Sequence, residues 1–176
     1  YENVNLPFAE VGMCMLKTLT QYKPNQRLLG DNKACAVIVR LLRGYTLTER
    51  TQNSEHIAMH GLATIARLAE YDANQSRLAK CGACKLVVEL TQEYGRESES
   101  VAGEGLSAIS VLAAANRGML GELGACVVVV ALIAQYITSA AVVNDGIAYL
   151  TSLAMHNLCL DYEENRQRFR QLNVVP

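Results

Sequence analysis

The sequence predicts an all-α protein made of stacked helical repeats, and three features carry that expectation. The first is composition. Apolar residues make up 51% of the 176-residue chain, yet there is no Trp, with only two Phe and three Pro. A core of Leu, Val, Ile and Ala favours helices packed on helices. The second is periodicity: four segments place apolar residues at i, i+3, i+4 and i+7, which is helical spacing. They run from Gly12 to Leu19, Gly61 to Leu68, Gly105 to Leu112 and Gly146 to Leu153. The third is self-similarity, which decides the architecture when present. Asn25-Gln-Arg-Leu-Leu29, Asn74-Gln-Ser-Arg-Leu78, Asn116-Arg-Gly-Met-Leu120 and Asn165-Arg-Gln-Arg-Phe169 align, at spacings of 49, 42 and 49 residues.

Each unit reads as three helices. The recurrent Asn is expected to cap a short first helix by accepting one of its unpaired backbone N–H groups. Gly82 and Gly124 are expected to supply the left-handed corner into the second helix. Asn173 can fill the same corner. Lys33 departs from the pattern, so neighbouring Asn32 or a distorted turn is expected there. The second helix opens at Ala34-Cys35, Ala83-Cys84 and Ala125-Cys126, continues through Ile38-Val39, Val87-Val88 and Val129-Val130, and closes at Tyr45, Tyr94 and Tyr136. The third helix is the longer Gly-initiated segment. Residues 46–53 form an enlarged, polar and cleavable loop in this reading, and residues 156–164 add about a helical turn.

The pattern Asn74-x-x-x-Leu78-x-x-x-Gly82-Ala83-Cys84-x-x-Val87-Val88-x-Leu90, with its copy from Asn116 to Leu132, resembles the armadillo repeat signature. The resemblance implies a right-handed superhelix, an armadillo-type solenoid of two full repeats flanked by partial ones. Residues 1–176 form one such segment, with repeats starting near Asn25, Asn74, Asn116 and Asn165. It also implies a concave groove lined by third helices, and a role in binding proteins. A repeat of this kind buries its apolar face only by stacking, so at least three are needed. The final residues stop inside a repeat, and the expectation is a stretch of a longer array.

Other motifs are better explained by the repeat. Cys81-Gly-Ala-Cys84 has no second ligand pair, and Cys84 shares its repeat position with Cys35 and Cys126, so all three are expected in the core. His56-Ile-Ala-Met-His60 lacks the Glu that a zinc protease places after the first His. His60 is instead assigned to the exposed face of a third helix. The Gly118, Gly121 and Gly124 series has no preceding strand and no Lys-Ser/Thr, so it is no phosphate loop. Asn74-Gln-Ser matches a glycosylation sequon only formally. Residues 17–50 carry seven basic against two acidic side chains, and residues 89–104 carry five Glu against Arg96. With a net charge of −1 and no interleaved aromatics, this is no nucleic-acid footprint. Residues 123–144 lack formal charge, but polar side chains interrupt them and no transmembrane helix is expected.

No catalytic residue, cofactor or metal is therefore expected, and six dispersed cysteines fit a reducing, intracellular compartment, cytoplasmic or nuclear. In armadillo proteins that carry basic targeting peptides, the third helix presents Trp and, four residues on, Asn. The Asn position here holds Thr18, Arg67, Val111 and Ser152, and the Trp position holds Cys14, Ala63, Ser107 and Ala148. Both ladders are missing, which argues against import-receptor function. The candidate groove comprises Lys17, Thr18, His60, Arg67, Glu104, Ser107, Asp145, Tyr149 and Ser152, with Val11 one turn earlier on the first such helix. The expected ligand is a protein or peptide. Alternatives are a structural segment of a cytoskeletal or trafficking assembly, and a regulatory region of an enzyme lying elsewhere.

Overall fold

A computed structural model describes residues 6–46, 51–136 and 145–172. These residues form ten helices and no strand. In chain order they are α1 (Leu6–Leu19), α2 (Lys23–Asp31), α3 (Ala34–Thr46), α4 (Gln52–Ala69), α5 (Asp72–Lys80), α6 (Ala83–Tyr94), α7 (Glu99–Glu122), α8 (Ala125–Tyr136), α9 (Asp145–Cys159) and α10 (Glu163–Gln171). The long helices lie side by side: α4 packs between α1 and α7, and α7 packs between α4 and α9. On another side each receives the helix before it, α3 against α4, α6 against α7 and α8 against α9. One apolar core runs from Met13 through Leu68, Leu90 and Leu112 to Phe169. Cys35, Cys84 and Cys126 occupy equivalent places in it, at 2%, 0% and 1% exposure, and burial pushes each thiol up to about 11.

Layers are tied together by hydrogen bonds that recur one repeat apart. Asn74 donates to the Gln26 carbonyl at 2.8 Å, and Asn165 to the Arg117 carbonyl at 2.9 Å. Tyr94 donates to the Thr46 carbonyl at 2.6 Å, and Tyr136 to the Gly95 carbonyl at 2.7 Å. The last carbonyls of a helix lack intrahelical partners, and the two tyrosines supply them from the next layer, whereas the asparagines reach carbonyls inside α2 and α7. The Asn is therefore no N-cap. Tyr22, Tyr71 and Tyr162 hold the N-cap positions of α2, α5 and α10, and none of them makes a side-chain cap. The Asn side chain donates backwards, to Leu19 from Asn25, to Leu68 from Asn74 and to Leu158 from Asn165.

Asn116 is the exception. Only four residues separate it from Leu112, where six separate Asn74 from Leu68. With no room for a turn, third and first helices merge into α7, broken by the non-helical backbone of Asn116 at φ −131° and ψ 25°. Gly82 and Gly124 take the expected left-handed corner, with φ of 80° and 89°. At the equivalent corner Lys33 itself is left-handed, φ 65°, while Asn32 is not.

Two expectations about length are corrected. Of residues 46–53, Thr46 ends α3, Thr51 caps α4 through a reciprocal pair of bonds with Ser54, and Gln52 and Asn53 are helical. Residues 47–50 lie outside the described residues, as does Asn173 with its expected corner. The extra residues of the last repeat do not fall at 156–164, because α9 continues to Cys159. Since Asn165 bonds Leu158 as Asn74 bonds Leu68, Leu158 is the true equivalent of Leu68. That shifts α9 by five residues from its glycine-anchored alignment. Ile147, Thr151, Ala154 and Leu158 then match Ile57, Gly61, Thr64 and Leu68, and all eight are buried. Among the described residues no single helix is long and apolar enough to cross a membrane.

Candidate functional site

Four side chains expected on one face do converge, where α1, α4 and α7 run side by side. Lys17 of α1 reaches across to Glu104 of α7 at 3.5 Å, both side chains largely covered. Arg67 of α4 donates to the Lys17 carbonyl at 3.4 Å. His60, one turn from His56 on α4, sits between them. It is half-buried, not on an exposed face, and its Nδ1 is buried with no hydrogen-bond partner. Burial lowers its pKa below the usual value of 6.5; the positive charges of Lys17 and His56 add to this, against Glu10 and Glu104.

Glu10 and its two partners, Asn53 and His56, complete the cluster, and none of the three was among the groove residues expected from the repeat alignment. The Glu10 carboxylate accepts from Asn53 at 2.8 Å and meets His56 Nδ1 at 2.9 Å. His56 stands out in the sequence only beside His60, as an abortive metal motif. Its real partner lies forty-six residues away on the previous layer. A solvated ion pair contributes little by itself. A row of opposite charges held by neighbouring helices has another property: it fixes both signs at set intervals along a surface. No group of three or more His, Cys, Asp or Glu side chains is gathered for a metal among the described residues.

The remaining candidates lie apart from this cluster. Thr18 is exposed and bonds its own helix at the Cys14 carbonyl, 3.0 Å away. Ser107 is half-buried on α7; Val11, Tyr149 and Ser152 are exposed. Asp145 opens α9, and its side chain lies outside the described residues. The five-residue shift of α9 alters the ladder positions. Asn157, not Ser152, aligns with Arg67, and Leu153 replaces Ala148. Asn157 donates to Ser110 on α7, to its carbonyl at 3.1 Å and its hydroxyl at 2.9 Å. Arg67 and Asn157 thus make the same kind of contact, each reaching the long helix of the layer before. The equal 49-residue Asn spacings were the available signal for this register; Gly146 drew the alignment away from it.

No protein-family model matches the chain, and no curated protein matches it.

Proposed function

We propose that the chain is an armadillo-type solenoid segment and acts as a protein-binding scaffold without catalytic activity of its own. In this reading α1, α4, α7 and α9 line the inner face of a right-handed superhelix. A protein or peptide ligand lies across them, along Lys17, His60, Arg67 and Glu104. The repeat-offset hydrogen bonds and the shared burial pattern support the architecture. The observation that carries the function is the row of paired charges contributed by three successive layers. A single-layer site would recognise one group; a row spaced by helix packing recognises a sequence of groups along an extended or helical ligand.

The pairs also suit exchange. Lys17 and Glu104 are 3.5 Å apart, and each can release the other to a ligand group of the right sign. Arg is among the residue types that anchor interfaces, combining contact area with directed hydrogen bonds. The isolated ladder residue Asn157 and the absence of any Trp favour a ligand other than a basic targeting peptide.

The test is affinity capture from cell lysate with the wild-type chain and two variants. Arg67→Glu should lose the captured partner, while Arg40→Glu, at an exposed position of α3, should keep it. In a titration with the purified partner, Arg67→Glu should cost about 1–3 kcal/mol of binding. Equal loss in both variants, or loss in Arg40→Glu alone, removes the ligand from this face.

A further inference from the structure

An ion pair that skips a layer crosses the face on which α1, α4 and α7 lie side by side. The cross-layer hydrogen bonds described above each join one layer to its neighbour. Lys17 on α1 and Glu104 on α7 stand on either side of α4, and their side chains still meet at 3.5 Å. The α4 face between them is recessed. Ala63, three residues beyond His60, is 1% exposed, and the two long side chains close over that trench. Both are largely covered, so solvent ions screen them less than a free surface pair.

His60 lies against this strap. Its Nδ1 is buried without a hydrogen-bond partner, which in the neutral ring leaves an unused acceptor. A protonated ring carries a donor on both nitrogens, and a buried charged donor with no acceptor costs far more. The charges acting on the ring come from α1, with Lys17 and Glu10, from α7, with Glu104, and from His56 one turn back on α4. Burial first, and Lys17 next, oppose the proton more than Glu104 favours it. By linkage the proton in turn opposes the closed pair, repelling the Lys17 ammonium while competing with it for the Glu104 carboxylate. His56 answers acid in the other sense. A proton there turns its 2.9 Å contact with Glu10 into an ion pair, which holds α1 to α4.

We infer that the Lys17–Glu104 pair is a pH-sensitive strap across this face, closed while His60 is neutral and opened when the protonated ring takes the Glu104 carboxylate from Lys17. Opening uncovers the recessed α4 face at Ala63 and unties α1 from α7, while Glu10 and His56 keep α1 on α4. The strap is a property of the free protein, and the inference stands whether or not the row binds a ligand.

A water-soluble carbodiimide provides the test. This reagent condenses a carboxylate with an amine in contact with it, and mass spectrometry locates the resulting amide. The Lys85–Glu89 pair within α6, at 3.6 Å, is the internal reference for the reagent's own response to pH. In the full 176-residue chain, the ratio of Lys17–Glu104 to Lys85–Glu89 product should fall about fivefold or more between about pH 7.5 and about pH 5. In His60→Gln the ratio should hold steady, and in His56→Gln it should still fall. Circular dichroism at both pH values confirms that the helices persist. In the unaltered chain, the His60 Cε1–H signal followed by NMR should titrate with the same midpoint as the fall, a readout that needs no variant to fold. A ratio that does not change in the wild type overturns the inference. So does an equal fall in His60→Gln, or a fall whose midpoint is separate from that of the His60 ring.

Discussion

Asn74 is fully buried, and its amide nitrogen reaches two backbone carbonyls in different layers, Leu68 at 3.0 Å and Gln26 at 2.8 Å. Its oxygen accepts from Arg77 at 2.9 Å, and Arg77 continues to Asp31 at 2.7 Å. Gly30 leaves room for the arrangement, since a Cβ there would strike the Asn74 side chain. Replacing Asn74 by Ala removes two buried amide bonds and the one from Arg77, at about 0.5–1.5 kcal/mol for a neutral bond and more for a charged one. We expect Asn74→Ala to lose roughly 2–4 kcal/mol in urea unfolding. Asn25→Ala, which removes one half-exposed bond, should lose less than about 1 kcal/mol. A second expectation concerns His60. Burial first, then Lys17, hold its pKa below 6.5, so the folded protein favours the neutral ring. On acidification the unfolded chain takes up the proton first. Stability is therefore fully present above about pH 6.5 and falls as pH drops toward the lowered folded value. Unfolding midpoints at about pH 7 and pH 5.5 should differ less in His60→Gln than in the wild type. Glu163, held below its usual range by hydrogen bonds from Arg170 and Arg166, stays ionised throughout that window and does not confuse the result.

At the corner between α2 and α3, Lys33 is left-handed where Gly82 and Gly124 stand in the later repeats. A side chain pays roughly 1–2 kcal/mol for that conformation, part of which glycine returns through its freer unfolded chain. Lys33→Gly should stabilise the protein by about 0.5–1 kcal/mol, and Gly82→Ala should destabilise it by at least as much. Thermal unfolding of the two variants measures both. The helices themselves were legible in the sequence, since apolar spacing and the Cys and Tyr positions are local signals. Register in α9 was not. Gly146 is exposed, whereas the buried small residue at that place in the repeat is Thr151. The shifted register has its own consequence: Asn157→Ala, losing both bonds to Ser110, should cost about 1–2 kcal/mol. Ser152→Ala, at an exposed site, should stay within about 0.5 kcal/mol of wild type. The reverse order in a urea titration would restore the glycine-anchored alignment.

Across the molecule, the same few contacts recur from layer to layer, and each joins side chain to backbone across one repeat. In the solenoid proposed above, stability is close to a sum of nearest-neighbour terms, so damage to one layer spreads little beyond its neighbours. The recurrent Asn and Tyr are visible in the sequence, but their direction is not. Whether an Asn accepts at a helix start or donates to the helix before depends on where the preceding turn places it. The candidate face shows the same limit. Lys17, His60, Arg67 and Glu104 follow from the repeat alignment, while Glu10, Asn53 and Ser110 emerge only when the layers are stacked. Arg77, which by its place in a first helix looks like a neutral outer-face position, is tied to Asn74 and Asp31, so Arg40 is the better control for binding. Hydroxyl-radical footprinting of the chain with and without its captured partner separates the faces by side-chain accessibility. On the proposed binding mode, oxidation of His56, His60 and Tyr149 falls when the partner binds, while Val37 on α3 and Val127 on α8 stay fully reactive. Protection of Val37 and Val127 with the histidines and Tyr149 unchanged would place the partner on the opposite side and contradict the assignment.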